Sequence, residues 1–163
     1  MYSDENTLED DFTIGAVDHE SIEQIGQIAK RSDLAHWSED DYRAELDRTD
    51  SIFLRCYDPI GKIFGFIVGR IVTGSTDHHD FEVEIYNVAV EKDFRQKGIG
   101  TKLMQGFFNE CRQLGVSSVW LELRRRNKSA KKFYESLGFS EITVRPEFYS
   151  DPVDDAIVMN TII

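Results

Sequence analysis

The chain has 163 residues, of which 40% are apolar and 12% aromatic, and it carries a formal net charge of −11 at pH 7. This length and composition are typical of a single globular domain and exclude fibrous and largely disordered proteins. The negative charge argues against a nucleic-acid-binding protein, because such proteins neutralise phosphates with lysine and arginine.

The first eleven residues form a polar, mostly acidic segment without the basic start or the apolar stretch of a secretory signal. We expect residues 1–11 to be flexible and residues 12–163 to form one domain. No apolar run reaches the roughly 18–20 residues of a membrane span. The sequence therefore predicts a cytoplasmic protein that does not contact a membrane.

Apolar periodicity and turn residues divide the domain into strands and helices. Asp18 and Ser38 stand where helices begin, and Asp41 completes an imperfect capping box with Ser38. Gly115 and Gly138 end the two later helices. The predicted order is strand 12–17, helices 18–31 and 38–48, strands 51–57, 62–73 and 81–90, helix 98–114, strand 117–123, helix 127–137, and strands 139–145 and 155–162. This order indicates an α/β (α+β) domain in which the three strands between residues 51 and 90 form an antiparallel meander.

A glycine-containing loop joins the strand Asn87-Val88-Ala89-Val90 to the helix that begins near Gly98. The loop reads Arg95-Gln96-Lys97-Gly98-Ile99-Gly100. At such a junction, unpaired backbone N–H groups and the positive end of the helix dipole point to one place, which suits a phosphate group. The two glycines allow the backbone to approach a ligand closely. The loop lacks the Gly-Lys-Ser/Thr triplet of nucleotide-binding P-loops.

Charge is distributed unevenly along the chain. Residues 91–132 contain eleven lysines and arginines against four acids, whereas the remainder carries a net charge of −18. One segment therefore favours an anionic ligand, and the rest of the chain favours a cationic one. The alternative is that both sets of charges only solvate the surface.

The Arg-x-x-Gly-x-Gly loop after an Asn-x-Ala-Val strand resembles the pyrophosphate-binding loop of the GNAT acetyltransferases. The resemblance implies the GNAT fold, a mixed, mostly antiparallel sheet of about seven strands flanked by about four helices, and acetyl-CoA as the cofactor. It also implies a set of residues that bind the cofactor, Asn127 through hydrogen bonds to the pantetheine arm. This set is Val88, Ala89, Val90, Arg95, Gln96, Lys97, Gly98, Ile99, Gly100, Thr101, Asn127 and Lys131. Capping of its own helix is an equally good interpretation of Asn127.

Four further segments resemble the bacterial ribosomal-protein-alanine N-acetyltransferases, the RimI-like branch of this family. They are Ala35-His36-Trp37-Ser38, Leu121-Glu122-Leu123-Arg124, Phe133-Tyr134-Glu135-Ser136-Leu137-Gly138-Phe139 and Asp155-Ala156-Ile157-Val158-Met159. The resemblance implies acetylation of the N-terminal amine of a protein, and we expect a ribosomal protein that begins with alanine.

Acetyl transfer to an amine needs a base for the amine, a hydrogen-bond donor for the developing oxyanion and a proton for the departing thiolate. The resemblance assigns the base to Glu122 and the proton donor to Tyr134, and it places the oxyanion donor beside a bulge in the strand that contains Val88–Val90. Glu122 follows Trp120 on one strand face, where partial burial would raise its pKa. Three alternatives remain: a salt bridge from Glu122 to one of the following arginines, a packing role for Tyr134, and Glu84 as the base.

The resemblance places Trp37, Glu84, Tyr86 and Tyr149 at the acceptor-binding site. The alternatives are an acetyltransferase for small amines or lysine and a non-catalytic acyl-CoA-binding module. We expect a monomer or a homodimer.

Neither the two cysteines nor the two adjacent histidines of the chain form a metal-binding pattern. Cys56 and Cys111 do not have metal-ligand spacing and are expected to be buried free thiols. His78-His79 is followed by no further ligand at metal spacing. We therefore expect no metal site.

Overall fold

A seven-stranded mixed sheet forms the centre of the fold in the computed structural model, which describes residues 11–34, 37–73 and 80–163. The strands are β1 (Thr13–Ala16), β2 (Ser51–Tyr57), β3 (Ile63–Thr73), β4 (Phe81–Val90), β5 (Val116–Arg124), β6 (Ser140–Ser150) and β7 (Val153–Ile162). Their order across the sheet is β1-β2-β3-β4-β5-β7-β6, and the β4–β5 pair is parallel while the other five pairs are antiparallel. The helices are α1 (Ile22–Arg31), α2 (Glu39–Glu45), α3 (Ile99–Gln113) and α4 (Lys128–Ser136). The predicted fold class, with its mostly antiparallel sheet and four helices, is confirmed.

Some predicted features lie outside the described residues. They are the acidic tail before residue 11, the Ala35-His36 part of the Trp37 loop, and the connection 74–79 with His78-His79.

Two apolar cores lie on opposite faces of the sheet, which we call the α3 face and the α1 face. On the α3 face, the apolar stripe of α3, including Leu103 and Phe107, packs against Val83 of β4 and Val119 of β5. On the α1 face, the apolar side of α1 packs against Phe66 and the strands around it. Helical periodicity and strand alternation therefore bury complementary faces, as the sequence predicts.

The predicted caps are present at the helix starts. The Asp18 carboxylate accepts a hydrogen bond from the Ser21 N–H at 3.0 Å, at the start of the single 3₁₀ turn that precedes α1. Ser38 and Asp41 form a reciprocal capping box. Helix α2 is shorter than predicted, because residues 46–48 donate to carbonyls three residues back, which tightens the chain out of the α-helix.

Strand β6 is longer than the predicted 139–145, because a bulge interrupts its pattern without ending the strand. Between Arg145 and Tyr149 the pairing with β7 shifts, and Glu147 adopts a φ of 51°. The Asp155 carboxylate of β7 accepts a hydrogen bond from the Glu147 N–H at 2.9 Å. The strand therefore resumes and brings Tyr149 back into the sheet.

Candidate active site

The parallel strands β4 and β5 separate halfway along their length. Their pairing runs from Phe81 opposite Val116 to Ile85 opposite Leu121 and stops there. Beyond this point β4 continues against β3, while β5 continues against β7. A wedge thus opens between the two strands, and backbone groups on its two sides are not paired with each other. Such a wedge can hold an extended ligand by backbone hydrogen bonds.

A bulge lies in β4 at the mouth of this wedge. Ile85 pairs with Gly69 and Asn87 with Val68, so Tyr86 is the extra residue. The bulge reverses the alternation of the strand: Val83 and Ile85 belong to the core on the α3 face, whereas Ala89 belongs to the core on the α1 face. The strand predicted to supply the oxyanion donor therefore contains a bulge, just before Val88–Val90.

The loop after β4 presents exposed polar groups at the start of α3. Gly98 has a φ of 81°, which favours glycine, and no heavy atom lies within 4 Å of the position of a Cβ. Lys102 N–H donates to the Gly98 carbonyl at 2.9 Å, so the amides before Lys102 precede the first bond of the helix. Arg95 Nε donates to the Val90 carbonyl at 2.9 Å and fixes the loop against the end of β4.

Gly100 has a packing reason for being glycine, beside the predicted approach of a ligand, which stays a prediction. A Cβ at this position would lie 3.2 Å from Cζ of Phe133. The absence of a side chain therefore allows α3 and α4 to pack closely at the end of the loop.

The other predicted cofactor residues surround the loop and the wedge. Val88 and Val90 pack on the α3 face, Gln96 and Lys97 are exposed, and Ile99 is buried in the α3 core while Thr101 is partly buried. Asn127 caps α4, since its Oδ1 accepts a hydrogen bond from the Ala130 N–H at 3.2 Å. Lys131 forms an ion pair with Glu141 at 2.9 Å. The capping role of Asn127 is thus present, and its role toward a cofactor stays a prediction.

Glu122 lines a cavity of about 330 Å³ on the α1 face, together with Glu84, Trp120 and Arg145. Its Oε1 lies 2.7 Å from Nη1 of Arg145, a residue of β6. Burial raises the pKa of Glu122, while Arg145 lowers it and Glu84 raises it. A carboxylate with a raised pKa at the mouth of a cleft has the properties of a general base.

The sequence also offered an ion pair between Glu122 and one of the three following arginines. Glu122 does form an ion pair, but not with any of these three arginines. Arg124 donates to the carbonyls of Asp151 and Pro152, and Arg125 pairs with Asp155 at 2.9 Å. Arg126 pairs with a carboxylate of β7 in the same way. These three arginines fasten the β6–β7 hairpin to β5, and the partner of Glu122 comes from β6.

Arg70 organises a second depression, which Trp37 and Tyr86 also line. Its guanidinium lies 5.4 Å from the ring centre of Trp37 and 5.0 Å from that of Tyr86. Its Nε donates to the carboxylate of Glu45 at 2.9 Å. Burial and the adjacent Glu84 carboxylate raise the pKa of Tyr86. Trp37 and Tyr86 thus line the depression around Arg70, and Glu84, which lines the Glu122 cavity, lies next to Tyr86.

Tyr149 lies on the other side of the cleft, on β6. Arg124 is 4.3 Å from its ring centre. Burial raises the pKa of Tyr149, and the negative charge of Glu122 raises it further. Of the predicted acceptor residues, Glu84 and Tyr149 therefore lie near Glu122, whereas Trp37 and Tyr86 lie in the depression around Arg70.

Tyr134 is partly buried on α4, where its ring packs against Phe133 and Phe139 at centroid distances of 5.3 and 5.6 Å. Burial raises its pKa to about 12. The hydroxyl makes no hydrogen bond to any other described residue. Packing therefore accounts for the ring but not for the hydroxyl.

The sequence did not indicate the roles of Arg145 or Arg70. Both depend on the register of strands that are distant in sequence, and an arginine on a strand carries no signal of its partner. The bulge, by contrast, has a signal in the sequence: apolar residues occupy positions 81, 83 and 85 and then 88 and 90, so the alternation slips by one residue.

Both cysteines are free and buried, as predicted. Among the described residues, no group of three or more His, Cys, Asp or Glu side chains has the arrangement of a metal site. No helix in the described part of the chain is long and apolar enough to cross a membrane.

Comparisons with known proteins agree with this arrangement. The model of the acetyltransferase (GNAT) family matches residues 22–139. The chain is 30% identical over 149 residues to the [ribosomal protein bS18]-alanine N-acetyltransferase of Escherichia coli K12, covering 90% of this chain and 95% of that protein. The crystal structure of the ribosomal-protein-S18-alanine N-acetyltransferase from E. coli aligns with a TM-score of 0.78 at 30% identity, over 93% of this chain and 94% of that one. The structure of Ard1 from Thermoplasma volcanium aligns with a TM-score of 0.83 at 29% identity, over 94% and 99% of the two chains.

Proposed function

The chain belongs to the GNAT acetyltransferase family, and from this premise we propose that it transfers an acetyl group from acetyl-CoA to the N-terminal α-amine of a protein. The proposed acceptor is a ribosomal protein that begins with alanine, in the cytoplasm. The observation that carries the proposal is the position of Glu122, a carboxylate with a raised pKa in an open cavity that it shares with Glu84, close to Tyr149.

The residues of the loop and the wedge fit acetyl-CoA, which supplies the acetyl group as a thioester. The N–H groups at the start of α3, which precede the first bond of the helix, suit the pyrophosphate together with the adjacent Lys97. The unpaired edges of β4 and β5 suit the amides of the pantetheine arm. Gln96 and Gly98, which precede these groups, are both exposed.

The side chains at the cleft account for each proton in the reaction. An α-amine with a pKa of about 8 is roughly one-tenth neutral at pH 7, so a weak base is sufficient. With acetyl-CoA bound, the neutral amine nitrogen would bond to the acetyl carbonyl carbon and the carbon–sulfur bond would break. Glu122 would take the proton that the nitrogen loses, directly or through water, and Tyr134 would give its proton to the departing thiolate and regain one from solvent. The raised pKa of Tyr134 keeps the phenol protonated until charge develops on the sulfur.

The charge of the cleft favours a basic acceptor. Glu82 and Glu84 lie on its β4 side, and Asp80 lies next to them at a neighbouring depression. The N-terminal segments of ribosomal proteins tend to be basic, and such a segment would be attracted to this wall. The aromatic rings of Trp37 and Tyr86 would contact the peptide backbone.

The first test measures free thiol release from acetyl-CoA with a basic peptide that begins with alanine. We expect turnover by the wild type and a loss of roughly 10²–10⁴-fold in kcat for Glu122→Gln and for Tyr134→Phe, with acetyl-CoA binding retained in both. Glu84→Gln is the matched comparison, because it removes a carboxylate from the same cavity; as an acceptor-binding residue it should raise KM and retain most of kcat. A larger loss in Glu84→Gln than in Glu122→Gln would assign the base to Glu84.

The second test compares two peptides by mass spectrometry, one with a free α-amine and blocked lysines, the other with a blocked α-amine and free lysines. We expect acetylation of the first peptide alone. Modification of lysine alone, or turnover with polyamines and none with peptides, would contradict the proposal.

A further inference from the structure

We propose that Arg145 is a positioning residue for acetyl transfer, which holds the Glu122 carboxylate in one orientation and sets how readily it takes up the proton of the amine. This inference rests on the proposed role of Glu122 as the general base. Arg145 lies on β6 and Glu122 on β5, and these strands are not neighbours in the sheet because β7 lies between them.

The geometry fixes one oxygen of the carboxylate and leaves the other available. Nη1 of Arg145 lies 2.7 Å from Oε1 of Glu122. Oε2 of Glu122 accepts no hydrogen bond from any described residue, so it can take up a proton without breaking the pair. The arginine thus determines which oxygen faces the substrate.

The sheet provides a path for the arginine to reach across β7. Ala156, the β7 residue paired with Arg145, is fully buried and carries only a methyl group. A larger side chain at this position would occupy the space above β7. The ring of Phe148 lies 5.5 Å from the Arg145 guanidinium on its other side. The guanidinium is therefore held between an aromatic ring and a carboxylate, although the Arg145 side chain is 56% exposed.

The charges around Glu122 define the direction of the effect. From β4, Glu82 and Glu84 line the cavity, and from β6 Arg145 does so; β7 contributes the apolar Val158. Tyr149, with Arg124 beside it, lies close enough to Glu122 to feel its charge. Arg145 is the cation in contact with the carboxylate, so its removal leaves Glu122 with burial and the Glu84 carboxylate, both of which raise its pKa. The affinity of Glu122 for a proton then rises.

The test is the pH dependence of kcat/KM, whose acid limb reports the essential base of the free enzyme. With Arg145→Met we expect this limb to move to higher pH by about 0.5–1 unit, a modest shift because the guanidinium is largely exposed. At pH values below the limb, kcat/KM of the variant is then roughly three- to tenfold lower than that of the wild type. At pH values above the limb, the two kcat/KM values are nearly equal. Arg145→Lys keeps the positive charge, so its acid limb should lie close to the wild-type position.

Arg125→Met is the matched control, because Arg125 is 58% exposed and forms an ion pair with Asp155 rather than with Glu122. Its acid limb should stay at the wild-type position. Phe148→Leu removes the ring that contacts the Arg145 guanidinium, so its acid limb should move in the same direction by a smaller amount. This variant replaces Arg145→Met in the test if Arg145→Met does not fold.

The outcomes separate the two claims. An unmoved acid limb in folded Arg145→Met, or an equal shift in Arg125→Met, overturns the inference and leaves the proposed function intact. Full turnover by Glu122→Gln overturns the role of Glu122 as the base, and the inference with it. Absence of peptide acetylation by the wild type overturns the proposed function.

Discussion

Arg70 joins the sheet to α2 through Glu45, whose side chain is 1% exposed, while Arg70 itself is 28% exposed. Removing one partner of a buried ion pair costs roughly 3–5 kcal/mol, because the other charge stays buried without compensation. We expect Arg70→Met to lower the free energy of unfolding by about this amount, and Glu45→Gln to lower it less, since water can reach the arginine. Urea denaturation followed by circular dichroism measures both. Equal losses in the two variants would contradict this asymmetry.

The two thiols provide a second residue-scale prediction. Burial raises the pKa of Cys56 to about 11 and that of Cys111 to about 12, so neither is a thiolate at neutral pH. We expect no reaction with Ellman's reagent in the native protein and two equivalents of reaction in urea. Rapid labelling of the native protein would show that the core opens locally, and it would also disturb an assay that detects released thiol.

At the scale of elements, we expect the β4 bulge to be needed for activity but not for folding. Deleting Tyr86 restores regular alternation, because Val83, Ile85, Val88 and Val90 would then all face the α3 side in phase. We expect this variant to fold cooperatively and to lose roughly 10²–10³-fold in kcat, since a backbone donor to the developing oxyanion would be misplaced. Tyr86→Ala is the control, because it keeps the bulge and removes the ring, and it should raise KM more than it lowers kcat. A deletion variant with wild-type kcat would exclude the bulge from catalysis.

The elements themselves are largely readable from the sequence, because helices and strands here follow local periodicity and local caps. Ser38 with Asp41 and Asn127 mark their helix starts correctly. The end of β6 was missed, since Pro146 and Glu147 resemble a terminating turn when the bonding of Glu147 to Asp155 is unknown. The partner of Glu122 was missed for the same physical reason: the register of β6 against β7 is set by contacts far apart in the chain. Local signals thus predict elements, and long-range register decides the details of the site.

At the scale of the whole molecule, the segregation of charge predicts how salt affects the reaction. Residues 91–132 carry a net charge of +7 and contain the loop proposed to bind acetyl-CoA, while the rest of the chain carries −18. A basic acceptor should be drawn to the acidic part by long-range attraction as well as by contacts in the cleft. Raising the salt concentration from 0.1 M to 1 M shortens the Debye length from about 10 Å to about 3 Å, which removes most of this attraction.

We therefore expect kcat/KM for a basic peptide that begins with alanine to fall by roughly tenfold over this range of salt at saturating acetyl-CoA, mainly through KM. A peptide with the same first residue and a neutral remainder should change much less, because it lacks the charges that salt screens. Saturation with acetyl-CoA keeps the salt dependence of its own binding out of the comparison. Equal salt dependence for the two peptides would mean that the acidic surface only solvates the protein, and that the cleft selects its acceptor through the α-amine and the first side chain alone.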